Sequence, residues 1–205
     1  MANVTINLDN LSENEKAQAL SIAEKANIGN NSSLHGVKDG ETFEIAGIEF
    51  IKFPNTNGVT PVVTKDVVFA SRFGDNNNLA ESDVMKKLES DILPKITAAI
   101  GEENIALIAT DLTTLDGLNP YGEMESHISL PTFDFYRANA AIFDKHKIDK
   151  WWWLATPDSA QPHYDPVQVL CVSRSGYVDR VLSSAYFGVR PFLLFAYSVF
   201  EASVE

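Results

Sequence analysis

This chain has little of several things, and each shortage excludes something. There is one cysteine, Cys171, among 205 residues. No disulfide within the chain is possible, and no set of cysteine thiolates can hold a metal. Cys171 lies in the apolar run Val167 to Val172, where a thiol is expected to be a buried packing residue. Basic residues are scarce, 16 against 28 acidic, for a formal net charge of -12. An acidic surface repels phosphate, so neither nucleic acid nor an anionic membrane is an expected partner. No apolar run reaches the roughly 20 residues needed to span a bilayer. The first residues, Met1-Ala2-Asn3-Val4-Thr5, lack the basic and apolar regions of a signal peptide, so none is expected. The four histidines, His35, His127, His146 and His163, show no ligand spacing. No Ser/His/Asp signature and no Gly-rich phosphate loop is present. Asp111 and Asp116 are close in sequence but sit in a polar loop. The expectation is a non-enzyme without cofactor or metal.

What is present is an ordinary globular composition, 45% apolar and 21% charged. Residues 1–38 read as a separate segment. Ser12 and Glu15 form a capping-box pattern ahead of a helix to about Ala26, and Asn27 to Asp39 is rich in Asn, Ser and Gly. That helix has a thin apolar face and is marginal alone, so residues 1–38 are expected to dock on a neighbour, giving a homo-oligomer or attachment to a particle.

The main domain is expected over 39–205. Alternation around Ala46-Gly47 predicts a hairpin, and Val62 to Ala70 a third strand. A helix is predicted from about Ser82 to Ile100, with Val84, Leu88 and Ile92 on its apolar face and Pro94 as a kink or break. Ile105 to Thr110 reads as a strand, Asp111 to Ser126 as a loop, and Thr132 to about Lys145 as a second helix. Four strands follow: Trp152 to Ala155, Val167 to Ser173, Tyr177 to Leu182 and Arg190 to Phe195, with a turn at Ser173-Arg174-Ser175-Gly176. Tyr197 to Phe200 is expected to return as a last strand.

Several short motifs stand together. Ser82-Asp83-Val84 with Leu88, Trp152-Trp153-Leu154 with Pro157, Gly176-Tyr177-Val178, and Gly188-Val189-Arg190-Pro191 occur in that order. From about Gly40 to Phe195 the chain resembles a bacterial and phage domain family of unknown function. Its members read "S-D-I-R-x-W-L-N", "W-W-L-R-S-P", "G-x-V" and "G-V-R-P-A-L". Met85, Lys87, Ala155 and Thr156 depart from those patterns. The resemblance implies an α+β, C-type-lectin-like mixed fold with two core helices and antiparallel strands, joined here to an N-terminal helical appendage. It also implies a binding module, phage-encoded and carried on a virion or surface. The formylglycine-generating enzymes share that fold but need paired cysteines, which this chain lacks.

Within that fold the loop from Asp158 to Pro166 is the candidate binding surface. Asp158, Gln161, His163, Tyr164 and Asp165 are the candidate ligand-binding residues, with Trp151 beside them. The other reading of the loop is a solvated connection. Asp158 and Asp165 offer oxygens to calcium, but the usual lectin calcium motifs are absent. Arg190 stands in an apolar strand and is expected to be a buried structural clamp, with Asp83 as its partner. The expected ligand is a protein or a glycan. The alternative function is an intracellular inhibitor or adaptor in the host cytoplasm, gripping a host protein through the acidic surface.

Overall fold

A computed structural model describes residues 34–159 and 167–201. The N-terminal helix expected around Ser12 to Ala26 lies outside them.

The chain is mixed α+β, with mostly antiparallel sheets and few helices. Strands β1 (Thr42–Ile45) and β2 (Ile48–Lys52) form the expected hairpin, in register from Thr42–Ile51 to Ile45–Ile48. Its turn places both Ala46 (φ 53°) and Gly47 (φ 74°) in the left-handed region, the two-residue turn whose twist suits a hairpin. The third expected strand is two strands, β3 (Val59–Thr64) and β4 (Phe69–Arg72), in different sheets. Helix α1 (Asp83–Lys87) is capped by Ser82, whose hydroxyl accepts from the Met85 amide at 3.0 Å. A π-helical turn, Leu88–Ile92, joins it to α2 (Leu93–Ile100). Pro94 has no N–H for the Ser90 carbonyl, and the Leu93 amide reaches back five residues to Leu88 instead.

Strands β5 (Ile105–Ala106) and β6 (Ile108–Asp111) divide what reads as one strand. The expected loop after it contains β7 (Glu123–Ser126), which pairs with β6. The second helix is two, α3 (Phe133–Ala138) and α4 (Ala140–Lys145). Asn139 breaks it by donating its Nδ2 to the Phe135 carbonyl at 2.9 Å. Then come β8 (Trp152–Pro157), β9 (Gln168–Val172), β10 (Val178–Leu182), β11 (Tyr186–Val189) and β12 (Phe192–Ala196). The expected last strand is a single 3-10 turn, Tyr197–Val199.

One sheet has the order β1-β2-β3-β12-β5 and the other β10-β9-β8-β11-β4. All pairs are antiparallel except β8 with β11. Two short connections cross directly from one sheet to the other, β3 to β4 and β11 to β12. They run side by side: the Thr64 amide donates to Pro191 O, and the Val68 amide to Val189 O.

The central strands bury both faces. Phe50, Val62, Trp153, Ala155 and Cys171 enter one apolar cluster, with Val84, Leu88 and Ile96 of the helical segment. Their neighbours Ile51, Val63, Trp152, Leu154, Leu170 and Val172 enter a second, with Phe143 of α4. Successive side chains on a strand alternate faces, so strands with a core on each side read as continuous apolar runs. The packed unit also reaches further toward the N-terminus than residue 39. Leu34 is buried in the first cluster and Val37 packs against it.

Candidate functional site

Strand β8 lies between two of the sequence-predicted site residues and separates them. Trp151 precedes the strand and Asp158 follows it, so the strand's six residues put about 20 Å between them. They do not form one site. Trp151 is half-buried and stacks on Phe187, with ring centroids 5.4 Å apart. Gln161, His163, Tyr164 and Asp165 lie outside the described residues.

The root of the 158–166 loop is tightly held. The Asp158 amide donates to Gln168 O at 3.1 Å, and its carboxylate lies 3.6 Å from Arg180. Asn77 is buried and bridges the two arms of the loop: its Nδ2 donates to Ser159 O at 2.7 Å and to Gln168 O at 3.1 Å. Its Oδ1 accepts from the Tyr121 hydroxyl at 2.7 Å. Ser159 donates to Asp116 at 2.6 Å, and Asp116 also accepts from Thr114. These hydroxyl bonds, Ser159 first, hold the Asp116 carboxyl below its usual range. The Leu115 amide donates to Pro157 O, placing exposed Leu115 and Leu118 beside this root.

Sequence reasoning missed Asn77 and Tyr121, and read Asp116 only as an acid in a polar loop. Asn77 sits in a run that reads as a turn, and no spacing ties it to residues 159 and 168. The only available signal was the pair of polar loops, and these carry no register with one another.

The expected Arg190–Asp83 pair is corrected. Asp83 is bonded to Arg72 at 2.6 Å and to Lys86 at 3.3 Å. Arg190 is the buried residue expected, 1% exposed, but among the described residues no carboxylate makes an ion pair with it. Its Nε donates to Thr64 O at 2.8 Å, where the two inter-sheet crossings meet. Its guanidinium lies 4.7 Å from the Trp152 ring centroid and 5.5 Å from that of Phe143. A corner carbonyl and two aromatic faces stand where a carboxylate was expected.

Cys171 is buried, and its sulfur donates to Asp179 O at 3.5 Å. Burial pushes the thiol up to about 12, so at neutral pH it is not a nucleophile. His127 and His146 bond to the carbonyls of Ile105 and Gly40. Among the described residues no group of three His, Cys, Asp or Glu could hold a metal ion. Likewise no helix there is long and apolar enough to cross a membrane.

Comparison of the chain with protein-family models, with curated proteins and with solved structures gives no match in any of the three.

Proposed function

We propose that the chain is a non-enzymatic binding module with a C-type-lectin-like fold, phage-encoded and carried on a virion or surface. Its ligand is a carbohydrate or a protein, taken by the 158–166 loop. The observation that carries this reading is the anchored loop root. Buried Asn77 ties both arms of the loop to the domain, and a loop held rigidly at its base suits recognition better than a slack connection does. The exposed leucines beside it offer apolar contact, and the four short motifs support the fold family. The N-terminal helix and linker expected over residues 1–38 would serve attachment.

The test is proteomics of purified particles together with a glycan array probed with the full chain. Presence in particles supports the reading. Abundant free protein in infected cytoplasm with none in particles refutes it. The net charge of -12 favours a second reading, an inhibitor or adaptor gripping a basic host protein. A stoichiometric, salt-sensitive complex in a host-lysate pulldown would select it.

A further inference from the structure

Strand β1 is the outermost of its sheet and, among the described residues, pairs only with β2. Antiparallel neighbours alternate between pairs that exchange hydrogen bonds and pairs that do not. The two-residue turn at Ala46-Gly47 makes Ile45–Ile48 a bonded pair, and Phe43–Phe50 is the next. Thr42 and Glu44 therefore aim their N–H and C=O groups away from β2. None of these four groups has a hydrogen-bond partner among the described residues. Phe43 and Ile45 are buried in the first apolar cluster, while Thr42 is half-buried and Glu44 exposed. The edge is thus open, apolar on one face and polar on the other, and a row of unpaired groups is a template for a further strand.

The other edges are less receptive. On β10 the bonds from Ser173 to Tyr177 O and from Ser183 to Val167 O leave Arg180 facing outward, and its amide is already taken by Asp179 Oδ1 at 2.8 Å. Strand β4 runs into α1, where the Asp83 amide donates to Phe73 O at 2.8 Å. Strand β5 has only two residues. The β6–β7 ribbon exposes Asp111, Glu123 and Glu125 on one face, and charges of this kind deter pairing.

The sequence holds a segment of matching pattern. Val4-Thr5-Ile6-Asn7-Leu8 alternates strictly between apolar and neutral polar residues and ends at the turn residues Asp9-Asn10. So short a strand has no stability alone and needs a sheet edge. We propose that residues 4–8 add to the open side of β1 of the same chain as its outer strand. Val4, Ile6 and Leu8 then lie on the side of Phe43 and Ile45, and Thr5 and Asn7 beside Thr42 and Glu44. Neutral partners suit that polar face, because Glu44 already stands opposite Glu49 across the hairpin and a further acid would repel both. The tether starts close by: Leu34 is buried in the same cluster as Phe43, and the Gly40 amide donates to Lys52 O at the foot of β2. Residues 9–33 can return to this edge even with a helix of about 22 Å over Ser12 to Ala26. A tethered strand meets its edge at an effective concentration of order 1 mM, which favours the chain's own segment over a second copy's. The inference stands apart from the 158–166 loop and its ligand. Its consequence for attachment is that the expected helix is held at both ends, by the added strand before it and by Leu34 after it, and is presented at a fixed place on the domain.

The experiment is amide hydrogen exchange of the full chain, read by NMR at the Thr42 and Glu44 amides. Wild type is compared with Ile6→Asp, which puts a charge on the apolar face of the segment, and with Ile6→Val, which keeps that face. The expected result is exchange at Thr42 and Glu44 slower by about tenfold or more in wild type and Ile6→Val than in Ile6→Asp. The slowing should not change with protein concentration. The Phe43 and Phe50 amides and the Trp153 indole N–H, bonded to Ser71 O, should stay slow in all three and show that the fold is intact. Fast exchange at Thr42 and Glu44 in wild type overturns the proposal, and that result is readable whether or not Ile6→Asp folds. Slowing that survives Ile6→Asp also overturns it, since another segment would then cover the edge. Slowing that grows with concentration overturns it too, because the added strand would then come from a second copy.

Discussion

Removing Arg190 should cost far less when its volume is kept than when it is lost. Burial pushes the guanidinium from 12.5 down to about 10. At about 1.4 kcal/mol per pH unit, keeping that charge buried costs roughly 3 kcal/mol. Against this stand the charge-assisted bond to Thr64 O, worth about 2 kcal/mol, and the desolvated contacts with Trp152 and Phe143, worth about 2 more. Arg190→Met removes both the cost and the gains, for a net loss of about 1 kcal/mol, or roughly 2–4 °C in Tm for a chain of this size. Arg190→Ala also loses the buried stem and opens a cavity, adding about 3 kcal/mol and bringing the fall to the order of 10 °C. Urea melts of the three proteins at neutral pH would measure this. The pH dependence gives a second check. Between pH 10 and 12.5 the native state binds fewer protons than the unfolded chain, so stability contributed by this group rises with pH there. The margin of wild type over R190M should widen from about pH 9 to about pH 11. If R190M were as damaging as R190A, the loss would come from the polar and ring contacts of the guanidinium and not from buried volume, and a narrowing margin would mean that the fold does not hold the group below 12.5.

Gly188→Ala should destabilise by about 1–3 kcal/mol, because the added carbon would strike the Val67 side chain and sit 3.0 Å from Trp151 O, where β11 runs beside β8; urea melts will show it. Asn77→Ala should cost about 2–3 kcal/mol and speed amide exchange at Gln168 and Val169, whereas Tyr121→Phe, which removes one of the three bonds, should cost about 1 kcal/mol; equal effects would mean that Asn77 does not bridge the loop arms. Cys171 should resist a thiol reagent at neutral pH until urea unfolds the chain. Its raised value also means a stabilising contribution that is complete below pH 9 and lost as pH climbs toward 12, which C171A should abolish in a pH series of melts.

The strands were legible wherever apolar residues ran in period or unbroken, as at Phe43 to Phe53 and Trp152 to Ala155. What stayed hidden was where the chain changes sheet. Val62 to Ala70 reads as one strand because apolar residues flank Lys65-Asp66 on both sides, yet Lys65 to Val68 carry it from one sheet to the other. The same holds at Leu107, between β5 and β6. Helix interruptions were half visible: Pro94 was marked by its missing N–H, while Asn139 looked like any helical polar residue. At the site, burial of Arg190 was readable from its apolar neighbours. Its partner was not, because a backbone carbonyl such as Thr64 O leaves no trace in a sequence. Asn77 shows the same limit, since both acceptors of its amide are main-chain atoms.

The side-by-side crossings also set an order of events during synthesis. β11 sits between β8 and β4, and β12 between β3 and β5, so each sheet receives an inner strand from the far end of the chain. Before residues 186–196 exist, β3 and β4 each lack the neighbour on one side, and the corner that Arg190 will bond is open. These pairings span more than a hundred residues, so loop closure precedes any reward from strand contact. A nascent chain therefore holds two unfinished sheets with bare apolar edges until the last strands emerge. A chain stopped anywhere before Tyr186 is left with edges fit for aggregation and for capture by chaperones, not with a smaller native domain.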